Sequence, residues 1–149
     1  MNTKLLLLGL AAIVLQASAE PPRANAKAPL TDYETLRTAA GFCIGPVGIA
    51  AATPPEEEAY RRLLQTPTAA DDCRKLIAAG TPAGQTYGLL GLKLLKDKTY
   101  AAAAARYRNS RVVVEFQEAC DIHKWQMFFV VQLIDEGKII KNYAKWLKQ

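Results

Sequence analysis

Histidine occurs once in these 149 residues, at His123. That scarcity leaves a single imidazole for any histidine-dependent triad or metal site. Cysteine is nearly as sparse, at three: Cys43, Cys73 and Cys120. No G-x-S-x-G elbow is present. Gly41, Gly45 and Gly48 lack the strand–helix context and the lysine of a phosphate loop. No apolar run reaches the about 20 residues that cross a bilayer. Charge is close to balanced, +5 formally, which favours solubility and does not point to nucleic acid. No cofactor motif stands out.

What is present begins at the N-terminus. Lys4 precedes an unbroken apolar stretch from Leu5 to Leu15, and Ala17-Ser18-Ala19 supplies the small-residue site of signal peptidase. Glu20-Pro21-Pro22 follows, and proline stops a helix from continuing. Residues 1–19 therefore read as a secretory signal peptide cleaved between Ala19 and Glu20, with the working chain periplasmic or secreted. Residues 20–29 (EPPRANAKAP) lack large apolar groups and read as a disordered leader. Residues 30–149 remain as a single domain, large enough for a core.

Export sets an oxidising context, where an odd cysteine count implies one bridge and one leftover thiol. Three pairings are open on sequence alone. Cys43–Cys73 is the nearest pair in the chain and is preferred; Cys120 is then buried or pairs between chains.

Helix-start punctuation recurs at Thr53-Pro54, Thr66-Pro67 and Thr81-Pro82, because threonine caps a free N–H and proline suits the first helical position. Thr31-x-x-Glu34 and Thr53-x-x-Glu56 add capping boxes. Asp97 precedes another helical stretch, Thr99 to Arg108. Tyr60, Leu63 and Leu64 share one face opposite Glu57, Glu58, Arg61 and Arg62; Cys73, Leu76 and Ile77 share another. Gly84, Gly88 and Gly91 align on one side of the segment from Pro82. Three glycines in a helix weaken it, so they predict close approach of a neighbouring helix. Arg111 to Gln117 alternates Val112, Val114 and Phe116 and predicts a short extended segment. Trp125 to Glu136 reads as a buried helix stopped by Gly137, and Lys138 to Lys148 as a last amphipathic helix. The expected fold is all-α: short stacked helical hairpins, repeat-like, with one extended segment near 111–117.

Three stretches carry a family resemblance: Phe42-x-x-Gly45-x-Val47-Gly48, Glu58-Ala59-x-Arg61-x-Leu63-Leu64, and Thr81-Pro82-Ala83-Gly84-Gln85-x-Tyr87-x-Leu89-x-Gly91-Leu92. Across residues 42–95 the chain resembles a group of small exported bacterial helical proteins. The resemblance implies a HEAT- or TPR-like helical fold and carries over no activity and no functional residue.

The chemical candidates are few. Cys120-x-x-His123 with Cys43 and Cys73 would make a Cys3His zinc set, but only one pair has ligand spacing. Ser110, His123 and Asp121 would make a triad with no supporting motif. Cys120 with His123 would make a thiol enzyme only if a helix brings residues three apart together. Glu56-Glu57-Glu58 and Asp71-Asp72 sit at helix starts, where the dipole explains them. Arg106, Arg108 and Arg111 cluster near a helix end. Lys138, Lys141, Lys145 and Lys148 form a stripe facing solvent, a protein partner or an anionic membrane surface. The expectation is a non-enzymatic exported module that binds an as yet unidentified protein. An inhibitor or immunity protein against a secreted toxin or hydrolase is one form of it, and a structural envelope component is another reading.

Overall fold

The computed structural model of the chain describes residues 30–48 and 50–141. The signal peptide and leader fall outside the described residues, as do Lys145 and Lys148.

Thr31 opens the first helix as its capping box predicts: its side chain accepts from the Glu34 amide at 3.2 Å, and α1 runs Asp32–Arg37. Thr81 does the same for the helix Pro82–Leu94, accepting from the Gly84 amide at 3.1 Å and donating to the Ala39 carbonyl at 2.7 Å. The other two Thr-Pro pairs are not caps. The helix α2 (Pro55–Leu64) starts behind Pro54, and α3 (Ala69–Ala79) behind Thr68, neither with a side-chain cap bond. Proline's pre-set φ begins α2 without help from Thr53.

The helix Pro82–Leu94 is α4, and it is the centre of the molecule. Nine of its thirteen residues are buried, so it has no solvent face. It packs on α1, on α3, on α5 (Tyr100–Ala105), on α6 (Met127–Asp135) and on two strands. The predicted close approach is real: a methyl on Gly88 would lie 2.6 Å from the Cys73 carbonyl oxygen, and one on Gly84 2.6 Å from that of Leu36.

The all-α expectation fails at two places. Phe42–Val47 is a strand, β1, and it pairs in parallel with β2 (Val113–Ala119), which pairs antiparallel with β3 (Asp121–Gln126). The protein is thus a mixed α/β fold with a three-stranded mixed sheet ordered β1-β2-β3. The extended segment near 111–117 is present as β2. The helix expected from Trp125 starts later, at Met127, because Trp125 and Gln126 pair with Val114 and Val113. β1 sits at a sheet edge, where Pro46 is tolerated, and its register slips between Cys43 and Val47 around Gly45, whose φ is +75°. Residues 138–141 are helical, as expected of the last helix, whose remainder lies outside the described residues.

The sheet's inner face joins the helices through aromatic rings. Tyr87 of α4 lies 4.9 Å from Tyr60 of α2 and 4.7 Å from Phe42 of β1. Phe42 then meets Phe116 at 5.5 Å, Phe116 stacks on Trp125 at 4.5 Å, and Trp125 meets Phe129 of α6 edge-on at 5.4 Å. The buried Tyr87 hydroxyl also accepts from the Cys43 amide and donates to the Cys43 carbonyl, both at 3.0 Å. That pins the edge strand to the central helix.

Candidate functional site

The preferred Cys43–Cys73 bridge does not form; all three cysteines are free. Cys43 lies on β1, its Sγ 3.8 Å from Gln117 Oε1 across the sheet, while Cys73 lies on α3 with its Sγ against Gly91. The two thiols belong to different packing layers and face different neighbours. Burial pushes the Cys43 thiol up to about 11, aided by the charges of Glu56 and Glu57. Burial likewise pushes Cys73 up to about 12, aided by Asp72. A thiol with a raised pKa is a poor nucleophile at neutral pH and a poor metal ligand.

Cys120 is exposed, in the turn that joins β2 to β3, beside Ala119 at φ +53°. His123 lies opposite Phe116 on β3 and stacks on Trp125 at 5.2 Å. The segment is a strand, so the helical spacing needed to join Cys120 to His123 is missing. The triad residues are spread out too. Asp121 pairs with Glu118 at the turn end of the hairpin, and the Ser110 carbonyl accepts from the Phe128 amide at the other. Five strand residues separate those ends, roughly 17 Å. Among the described residues no three histidine, cysteine or acidic side chains gather as a metal site.

The carboxylates at the start of α2 hold one surprise. Glu57 is fully buried. Its Oε1 accepts from Arg61 Nε at 2.8 Å, while Oε2 has no partner in hydrogen-bonding geometry among the described residues. Burial raises its pKa, and Arg61 and the Gly45 amide oppose that rise. Sequence reasoning set Glu57 on the polar face. The missed signal is its spacing of three and seven residues from Tyr60 and Leu64, which puts all three on one side of the helix.

The hairpin and the start of α6 carry exposed apolar side chains. Among the described residues seven large hydrophobic side chains are exposed, and five fall between residues 112 and 129: Val112, Val113, Ile122, Phe128 and Phe129. Ile122 is the most open, at 64 %. Val112, Val113, Phe128 and Phe129 lie at the end of the hairpin where β3 runs into α6, and Ile122 lies at the turn end of β3, whose outer edge pairs with no strand among the described residues. On the sheet's outer face, Glu115 meets Lys124 at 3.5 Å. Beside them lies a cleft of about 270 Å³, lined by Gly41, Cys43, Pro54, Glu56, Gln117 and Ile122.

The basic residues divide. Lys138 is bound to Glu136 at 2.7 Å and Lys141 is exposed. Arg108 reaches Asp135 at 3.9 Å, and Arg106 and Arg111 make no ion pair among the described residues. Compared with protein-family models, with curated proteins and with solved structures, the chain matches none.

Proposed function

We propose that this chain is an exported, non-catalytic protein-binding module, and that its contact surface is the β2–β3 hairpin with the start of α6. The carrying observation is the exposure of Val112, Val113, Phe128 and Phe129 where the hairpin meets α6, and of Ile122 toward the turn of the same hairpin, whose strand β3 has an unpaired edge among the described residues. Contiguous exposed apolar area is costly in water and marks contact sites. An open edge adds a row of main-chain donors and acceptors that an extended segment of a partner can complete. Asp121 and Lys124 on that strand disfavour indiscriminate pairing, so the edge selects its partner.

Two features favour binding over thiol catalysis: the raised pKa of both buried thiols, and the strand that parts Cys120 from His123. Export rests on Lys4, the apolar run to Leu15 and the Ala17/Ala19 site.

The test is affinity capture from an envelope extract with the chain 20–149 as bait, beside an Ile122→Asp/Phe128→Ser bait. A partner recovered by the first bait and lost from the second is expected, with unchanged circular dichroism. Equal recovery by both baits overturns the assignment of the surface. N-terminal sequencing of the secreted product tests export; a mature chain that retains Met1 overturns it.

A further inference from the structure

The proposed contact surface continues past Phe128 into a groove of uneven charge. Two adjoining depressions, about 450 and 400 Å³, share Arg108 and Phe128; Arg111 borders one, and Val131 and Asp135 border the other. Phe128 is 38 % exposed and gives the groove an apolar wall.

The charges are not equally committed. Asp135 accepts from the Tyr100 hydroxyl at 2.8 Å, and Lys93 stands 3.7 Å away. Glu136 is held by Lys138 at 2.7 Å and by Gln132 at 2.8 Å. Arg108, by contrast, reaches Asp135 only at 3.9 Å, well beyond the about 2.7–2.9 Å of a charge-assisted hydrogen bond. Arg111 has no ion pair among the described residues. The uncommitted charge is therefore positive, and it lies at the Phe128 end. A guanidinium presents a planar fork that fits a carboxylate through two parallel bonds.

We infer that this groove receives a peptide segment in which one or two carboxylates stand next to a large apolar side chain. The carboxylates meet Arg108 and Arg111, and the apolar group packs on Phe128. This rests on the protein-binding reading above and names the partner's chemistry. A membrane fits less well. A bilayer brings a plane of phosphates against the whole face, including Asp135 and Glu136, whereas a peptide confines its negative charge to one end.

The experiment is selection of a displayed random-peptide library on the immobilised chain 20–149. Enriched peptides are then measured by fluorescence anisotropy against wild type, Arg108→Gln/Arg111→Gln, Phe128→Ala and Ile122→Asp. Both arginines are exposed, so the double variant keeps the fold, and circular dichroism verifies this. Selected peptides carrying Asp or Glu beside an aromatic or aliphatic residue are expected. Their affinity should fall about tenfold or more in the arginine variant, and measurably with Phe128→Ala. It should also weaken as salt rises.

Peptides that bind the arginine variant undiminished but lose affinity with Ile122→Asp overturn the groove and leave the binding module standing. A library in which nothing is enriched overturns both. Co-flotation with phosphatidylglycerol vesicles, lost in the arginine variant and not competed by peptide, assigns the groove to membrane instead and overturns the inference.

Discussion

Replacing Gly91 with alanine should change sign with the residue at position 73. In a helix interior alanine is ordinarily better than glycine by about 1 kcal/mol. At Gly91 the added methyl would collide with the Cys73 sulfur, while Leu64 Cδ2 at 3.4 Å and the Tyr60 hydroxyl at 3.5 Å would remain at tight to ordinary contact distance. Overpacking in a filled core costs about 1–3 kcal/mol. Taking the middle of that range, Gly91→Ala alone should destabilise by about 1 kcal/mol. Cys73→Ala removes a fully buried sulfur and leaves a small void, for roughly 1–2 kcal/mol. With the sulfur gone the methyl enters vacated space, and Gly91→Ala in that background should stabilise by about 1 kcal/mol. The coupling is then about 2 kcal/mol, near 1 M in urea midpoint for a domain whose m-value is about 2 kcal/mol/M. Urea titrations followed at 222 nm in reductant, on the four members of the cycle, measure it. Coupling below about 0.5 kcal/mol, or a stabilising Gly91→Ala in the wild-type background, refutes the argument. Gly88 sharpens the contrast. Its methyl would meet the Cys73 carbonyl oxygen at 2.6 Å, a backbone atom that no side-chain replacement removes.

Two further outcomes follow from buried groups. Burial raises the Glu57 pKa, so between the ordinary glutamate value of about 4.3 and the raised one the folded state holds more proton than the unfolded state; stability falls as pH rises through that window, and Glu57→Gln should flatten this part of the stability–pH curve when the two proteins are compared by urea titration. Identical curves would show that the burial is not felt. Thiol titration of the native, non-reduced protein with a chromogenic disulfide should find one fast-reacting group, Cys120, and three on denaturation; one group after denaturation would restore the bridge that the fold rejects.

Where a residue's role is set by its own neighbours in sequence, it could be read from sequence. Thr31 and Thr81 cap their helices because the hydroxyl and the free amide are three residues apart. The glycine stripe at 84, 88 and 91 announced a close helix pair because helical spacing puts all three on one side. The alternation of Val112, Val114 and Phe116 announced β2. What escaped was set by distant partners. Phe42-Cys43-Ile44 is too short to declare a period, and Gly45-Pro46 argues against a strand. It becomes one by pairing with residues 116–119, more than 70 positions away, and by the Tyr87 hydroxyl that holds its backbone. Trp125 continues an apolar run into α6, so periodicity could not mark where strand ends and helix begins; pairing with Val114 does.

The same reasoning explains why the proposed contact surface was invisible in the chain while the lysine stripe was not. Lys138, Lys141, Lys145 and Lys148 repeat at helical spacing and declare a face by themselves. Ile122, Phe128 and Val113 declare nothing individually; in a helical array each would be counted toward the core. Val113 and Ile122 are left outside because α4 packs on β2 and α6 on β3 from the opposite face. Val113 and Ile122 then fall on the outer face by the two-residue period of the strands, beside Glu115 and Lys124. The exposed edge is thus that of β3, the last strand of the sheet, while the parallel pairing of β1 fills the other side of β2. The hairpin's register does not depend on β1, because six antiparallel pairs, from Val113 with Gln126 to Glu118 with Asp121, set it locally. A variant that unpairs β1, such as Ile44→Pro, should therefore keep the β3 amides protected in hydrogen exchange, and their loss of protection would refute that independence.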